Sequence, residues 1–216
     1  METKLGSMLL GPVATNCYFI YKDDDDENSE KSCIVFDPAD RGALIYDKLS
    51  EKGLKVSMIL LTHAHFDHIG GLDELKDRSG ALVAAYEGEK AMCADPEMNL
   101  SAGNGAPIVV RPDKWLKDGE IIEEAGFKIK VIATPGHTEG SCCYYIEEDG
   151  ILISGDTLFE GSVGRTDFPT GSMSWLVRSL KDKLSILPDS TLVLPGHGGS
   201  STIGDEKRYN YYFNMV

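Results

Sequence analysis

Positive charge is scarce in this chain. It carries 21 Lys and Arg against 35 Asp and Glu, a formal net charge of −14 over 216 residues. No basic stripe relieves that balance. This argues against nucleic acid as a partner, because binding that polyanion depends on cations that neutralise phosphates. It also disfavours an anionic membrane surface. A small anionic substrate stays open, since a local site can be positive inside an acidic shell. Long apolar runs are missing too. Met8-Leu9-Leu10 stops at Gly11-Pro12, too short and too early broken for a secretory signal, and no run reaches membrane-spanning length. The expected location is therefore the cytoplasm. Cysteine fits that view: Cys17, Cys33, Cys93, Cys142 and Cys143 are odd in number and lack C-x-x-C spacing, as expected for free buried thiols in a reducing compartment. Neither a G-x-S-x-G nucleophile elbow nor a phosphate-binding P-loop occurs.

What the chain does hold is a concentration of histidine. Thr62-His63-Ala64-His65-Phe66-Asp67-His68 follows the apolar run Met58 to Leu61. In an extended segment alternate side chains share a face, so His63 and His65 lie on one side. Asp67-His68 before Gly70-Gly71 reads as a turn into a helix. Imidazole and carboxylate are ligands for borderline ions such as zinc, iron and manganese. A short repeat extends the pattern. Val131-Ile132-Ala133-Thr134 is followed by Pro135-Gly136-His137, and Leu192-Val193-Leu194 by Pro195-Gly196-His197. Each is an apolar strand broken by Pro-Gly that presents a histidine at its end. Ile151-Leu152-Ile153 ends likewise in Ser154-Gly155-Asp156. The chain has only five histidines, and all five fall at these strand ends. A scatter of ordinary surface histidines would not do that, so a metal site is expected.

The remainder reads as one domain over residues 1–216, long enough to bury a core unaided. Strands are expected at Met8 to Leu10, Ala14 to Tyr21, Ser32 to Asp37, Val56 to Leu61 and Ala81 to Ala84. A second strand-rich half has Ile121-Ile122, Phe127 to Ala133, Cys142 to Glu147, Ile151 to Ser154 and Thr191 to Leu194. Helices are expected at Ala43 to Lys52, Leu72 to Ser79, Glu87 to Ala94, Ser172 to Leu184 and Asp205 to Phe213. The acidic run Asp23 to Glu27 reads as a solvated hairpin tip, since it lacks the spacing and glycine of a calcium loop. Asp95 to Asp113, rich in Pro and Gly, is the candidate lid.

The order H-x-H-x-D-H, distant His, distant Asp, final His resembles the metallo-β-lactamase superfamily. The resemblance runs through nearly the whole chain. It implies an α+β fold, an αββα sandwich of two mixed β-sheets flanked by helices, with a two-metal site at one edge. On that resemblance His63, His65 and His137 would hold one ion, Asp67, His68 and His197 the other, and Asp156 would bridge them. The implied cofactors are two divalent ions, zinc in first place and iron or manganese as alternatives. Within the superfamily the stretch Ser154 to Phe159 through Gly164-Arg165-Thr166-Asp167-Phe168-Pro169 is similar to short glyoxalase II (hydroxyacylglutathione hydrolase) members. Thr62 and Pro135-Gly136-His137-Thr138 fit as well. Full-length glyoxalase II adds a helical C-terminal domain that helps grip glutathione, whereas only 19 residues (216 − 197) follow His197 here.

The implied activity is metal-dependent hydrolysis of an acyl-thiol such as hydroxyacyl-glutathione, with Asp67 as the catalytic residue that orients the nucleophile. Arg165 has two candidate roles: contact with a substrate carboxylate, or an ion pair with Asp167, which its closeness favours. Lys207 and Arg208 are weaker candidates for anion contact. A persulfide dioxygenase of the same superfamily is the nearest rival and would use one iron on His63, His137 and Asp156. A nuclease, phosphodiesterase or lactonase, a secreted β-lactamase and a non-catalytic metal-binding module stand further off.

Overall fold

Strands with apolar residues on both faces need cover on both sides, and much of this chain is written that way. The computed structural model describes residues 1–23 and 29–215. Most of the acidic run expected at a hairpin tip (residues 24–27) lies outside them. The first sheet comprises β1 (Glu2–Leu10), β2 (Thr15–Asp23), β3 (Lys31–Phe36), β4 (Leu54–Leu61), β5 (Leu82–Tyr86) and β6 (Lys114–Leu116), in that spatial order. β1, β2 and β3 pair antiparallel, and β3 to β6 run parallel. Parallel neighbours need crossovers. α1 (Gly42–Ser50) makes the one between β3 and β4. α2 (Phe66–Ile69) and α3 (Leu72–Ser79) lie between β4 and β5, and α4 (Lys90–Ala94) between β5 and β6.

The second sheet holds β7 (Ile121–Glu124), β8 (Phe127–Ala133), β9 (Cys142–Ile146), β10 (Ile151–Gly155), β13 (Leu192–Pro195) and β14 (Ser201–Thr202). A small hairpin of β11 (Leu158–Phe159) and β12 (Ser162–Val163) sits apart. α5 (Met173–Ser179) and α6 (Ile203–Tyr209) complete the chain's regular helices. β9 is antiparallel to both β8 and β10, and β13 is parallel to β10. β8, β10 and β13 therefore point the same way, and their C-terminal ends share one edge.

Period-two alternation sorts the side chains into three apolar layers. Cys17, Phe19, Val35, Ile59 and Leu61 face the first helices through Ile45, Leu49 and Leu75. Tyr18, Ile20, Ile34, Phe36 and Leu60 meet Ile129, Val131, Tyr144 and Ile153 between the sheets. Ile132, Tyr145, Leu152 and Val193 face Leu176, Leu180 and Ile203. The result is the expected αββα sandwich. Each fully buried Ile or Leu contributes about 1.5–3 kcal/mol, and Ile20→Ala between the sheets would cost about 2–5 kcal/mol. A one-residue bulge keeps β4 in phase. Cys33 pairs with Val56 but Ile34 with Met58, so the extra Ser57 lets Val56 and Ile59 both face the helices.

Several boundaries differ from expectation. β1 is nine residues long rather than three: as an edge strand it buries only Leu10 fully, so it carries no clean apolar alternation to read. α5 gives way to a π-turn at Leu180–Leu184, and the last helix ends at Tyr209. There Asn210 turns extended and its side chain accepts from the Tyr212 amide, starting a separate 3-10 turn. All five cysteines are buried and free. Burial pushes Cys33 and Cys93 up to about 12, so these thiols are inert.

Candidate metal centre

The sheet edge where strand ends collect is stitched across the sandwich. The Cys142 amide donates to Thr62 O at 2.9 Å and the Asn16 amide to Gly196 O at 2.7 Å. The buried Tyr144 hydroxyl donates to Leu61 O at 2.7 Å. The first and third tie the end of β4 to the start of β9, beside the end of β8, and the second ties the start of β2 to the turn after β13. His63, His65, Asp67, His68, His137, Asp156 and His197 consequently meet in one small volume. Three overlapping groups have ligand atoms all within 4.8 Å of one another: His63, His65 and His137; Asp67, His68 and His197; and His63, His68 and Asp156.

His65 Nδ1 lies 2.8 Å from His137 Nε2. Asp156 reaches across the groups, with Oδ1 3.3 Å from His68 Nε2 and Oδ2 3.5 Å from His197 Nε2 and 3.6 Å from His137 Nε2. Asp67 Oδ2 lies 3.2 Å from His197 Nε2. A metal fits this donor set. His63 Nε2, His68 Nε2 and Asp156 Oδ1 are buried, and none has hydrogen-bond geometry to a protein partner. Buried polar atoms without partners are costly unless something else satisfies them, and neutral imidazole with carboxylate suits a divalent ion.

Two glycines make the convergence possible. Gly136, at φ +149°, lies against the backbone of Leu176, and Gly196 lies against Asp156 and the His68 ring. A Cβ at either position would collide, so the two Pro-Gly-His repeats use glycine for close approach.

Charge divides the site. Burial, then the neighbouring imidazoles, holds His63 well below the usual histidine range, and burial brings His65 down to about 3. Burial also lowers His137, against the pull of Asp156 and the Arg165 carbonyl. On the other side burial again opposes charge, but ionic partners overcome it. Asp156, Asp37 and Asp67 raise His68 well above its usual value, and bonds to Asp156 and Asp67 lift His197 to about 9. Against its own burial, Asp67 is brought down to about 2 by His68 and by bonds from His197 and Thr15.

Supporting residues surround the ligands, and the sequence did not single most of them out. Asp37 takes the left-handed φ of +49° at the end of β3. It accepts from the Thr62 amide at 2.8 Å and the Thr62 hydroxyl at 2.6 Å, and faces His68 Nδ1 at 2.9 Å. An apolar strand ending in Asp-Pro was the available signal, the same signal that marked the ligand strands. Thr15 donates to Asp67 Oδ2 at 2.9 Å, and Tyr18 and Asn16 donate to Pro195 O, each at 3.0 Å. Glu89 is buried behind the first histidines, and burial raises it to about 7. No local pattern pointed to these four.

A cavity of about 640 Å³ opens over the cluster, walled by Val13, Phe66, Leu100, Phe159, Val163 and Phe168. Arg165 also lines it, while its guanidinium pairs with Asp167 through two bonds of 2.7 Å and stacks on Phe168 at 3.9 Å. Lys207 binds Asp189 and Leu187 O instead, and neither it nor Arg208 lines the cavity. The irregular segment expected as a lid forms one wall through Leu100 and Asn104. It is pinned by buried Asn99, whose amide group donates to Met92 O and Ile108 O. No helix among the described residues is long and apolar enough to cross a membrane.

Known proteins share this framework. The chain is 34% identical over 202 residues to hydroxyacylglutathione hydrolase GloC of Haemophilus influenzae, covering 92% of each chain. The crystal structure of BLEG-1 B3 metallo-beta-lactamase matches with a TM-score of 0.90 at 36% identity, over 98% of this chain and 100% of that one. That of TTHA1623 in a di-iron-bound form matches with a TM-score of 0.83 at 31% identity, over 96% and 100%. Two of these names give different activities, hydroxyacylglutathione hydrolase and metallo-beta-lactamase, and the third title gives bound iron. The family model for the metallo-beta-lactamase superfamily matches residues 10–197, from the last residue of β1 to the final candidate ligand. The chain belongs to the metallo-beta-lactamase superfamily, whose members bind divalent metal ions.

Proposed function

We propose that this protein is a dinuclear-metal thioesterase that hydrolyses hydroxyacyl-glutathione or a similar acyl-thiol. The observation that carries the reading is the pairing of two ligand sets, His63, His65 and His137 beside Asp67, His68 and His197, with Asp156 reaching both. The GloC relative supports the choice of substrate class. Divalent ions held by these residues would supply a water acidified toward a pKa of about 7 and would polarise a carbonyl. Zinc is the first candidate, and the di-iron neighbour keeps iron beside it.

The chain's own residues do the rest. Asp67, fixed by Thr15 and ionised at neutral pH, orients the attacking water and takes its proton. The apolar wall of Phe66, Phe159 and Phe168 limits water at the reacting carbon and strengthens charge interactions inside. Apart from the ligand cluster, Arg165 is the one ionisable group among the described residues lining the cavity. No side chain is thus placed as a dedicated acid for the leaving group. A thiolate suits that arrangement, since a free thiol has a pKa of about 8.5 and leaves without protonation.

The test is metal quantitation paired with acyl-glutathione hydrolysis by wild type and Asp67→Ala. Two ions per chain, with hydrolysis lost in the variant, are expected. If Asp67→Ala keeps both its metal content and its rate, Asp67 has no catalytic role. One iron per chain with oxygen uptake on glutathione persulfide would replace the hydrolase with a dioxygenase using His63, His137 and Asp156.

A further inference from the structure

The first histidine set is assembled from two sheets. His63 and His65 follow β4 in the first sheet, and His137 follows β8 in the second. Something must hold those two segments at a fixed spacing, or three imidazoles cannot share one ion. Behind them lies a carboxylate for which the proposed reaction has no use. Glu89 ends the 3-10 turn Glu87–Glu89 after β5 and is 1% exposed. It belongs to none of the ligand clusters among the described residues.

Its contacts are specific. Oε1 accepts from the Thr138 hydroxyl at 2.6 Å and from the Ala64 amide at 3.3 Å. Ala64 is the residue between His63 and His65, and Thr138 is the residue after His137. One carboxylate oxygen therefore touches both ligand segments. Thr138 is held in turn by Ser141, with Oγ to Oγ at 2.8 Å and the Thr138 amide to Ser141 Oγ at 3.0 Å. The backbones also meet directly, since a Cβ at Gly140 would strike Gly88 and the Glu89 amide. Glu89 Oε2 has no hydrogen-bond partner. A buried carboxyl with an unpaired oxygen weakens the fold by itself, so a core-filling role does not account for it.

We infer that Glu89 is a positioning residue that clamps the His63–His65 segment to the His137–Thr138 loop and so sets the affinity of the first metal site. The inference rests on the two-ion centre proposed above. It assigns Glu89 no contact with substrate, and it leaves Asp67, His68 and His197 outside the clamp.

The experiment measures zinc affinity, by competition with a chromogenic chelator, in two backgrounds. His197→Ala leaves the first set as the complete one, and His63→Ala leaves the second. In the first background Glu89→Ala should weaken zinc by about 10–100-fold, as loss of a residue that orients ligands does elsewhere. In the second background the same change should leave affinity within about twofold, the size of an effect at an unlinked site. Glu89→Gln keeps an acceptor at the Oε1 position and should recover most of the loss. Thr138→Val removes one of the two clamp bonds without touching Glu89, and it carries the test if Glu89→Ala does not fold. Equal weakening in both backgrounds, in step with a fall in melting temperature, would mean a merely structural role and overturn the proposal. No weakening in either background would overturn it as well, as would a Gln variant no better than Ala. Wild type that takes up no metal would instead refute the two-ion centre itself.

Discussion

The two halves of the candidate centre lie side by side yet handle charge in opposite ways. His63, His65 and His137 are buried among one another, and burial keeps them neutral. His68 is buried and His197 partly so, but Asp67, Asp156 and Asp37 beside them overcome that burial and favour the imidazolium. The difference teaches that burial alone does not set a histidine's state. What decides is how many carboxylates share the space: Asp156 does not offset burial at His137, whereas Asp156, Asp37 and Asp67 together do so at His68. The neutral trio is already in the form that binds a metal, whereas the mixed set must first give up protons.

Treatment with a chelator, to remove the proposed ions, tests the whole comparison and has the largest expected effect. Hydrolysis of the acyl-thiol should disappear and return when zinc or iron is added back. Asp67→Asn comes next, because it leaves the shape of the mixed set and removes the proposed base. The rate should fall by about 10²–10⁴-fold, the usual contribution of a general base, in steady-state assays that also record metal content.

The halves should then separate by pH. His197, at about 9 in the ion-free protein, lies above its ordinary 6.5. Its pairing with Asp67 and Asp156 therefore stabilises that state fully below about 6.5, and the stabilisation is lost as pH rises through about 9. Uptake of the second ion must displace that proton and the one favoured on His68, so it should tighten by at least about tenfold per pH unit up to about 9. The histidine trio should show no such slope above pH 7. Calorimetric titrations at several pH values read both, and equal slopes for the two ions would erase the distinction. A smaller effect is expected from Thr15→Val, which removes the bond to Asp67 Oδ2. A hydrogen bond to a charged group is worth about 1.5–3 kcal/mol, so kcat should drop by about 10- to 100-fold with the neutral trio's ion retained. Least of all, Arg165→Ala should leave the melting temperature unchanged, since both members of its pair are exposed.

The candidate ligands could be picked out because they follow local rules: alternate histidines on an extended segment, and Pro-Gly turning an apolar strand into a presented histidine. The helices facing the first sheet were legible for the same reason, with Ile45 and Leu49 on one face of α1. β1 was mostly hidden, since an edge strand buries little and its polar residues break the pattern. Glu89 and Thr15 were hidden altogether. Glu89 lies 25 residues from Ala64 and 49 from Thr138, and Thr15 lies 52 from Asp67, with no periodicity to connect them.

Residue order alone determined which side chains can bind metal and that each stands at a strand's end, because strand periodicity and turn chemistry act over a few neighbours. Only the folded chain decided that these ends share one edge, which helper residue holds which ligand, and which imidazoles carry charge. Those outcomes depend on strand direction across two sheets and on the distance from each ring to a carboxylate far away in the chain.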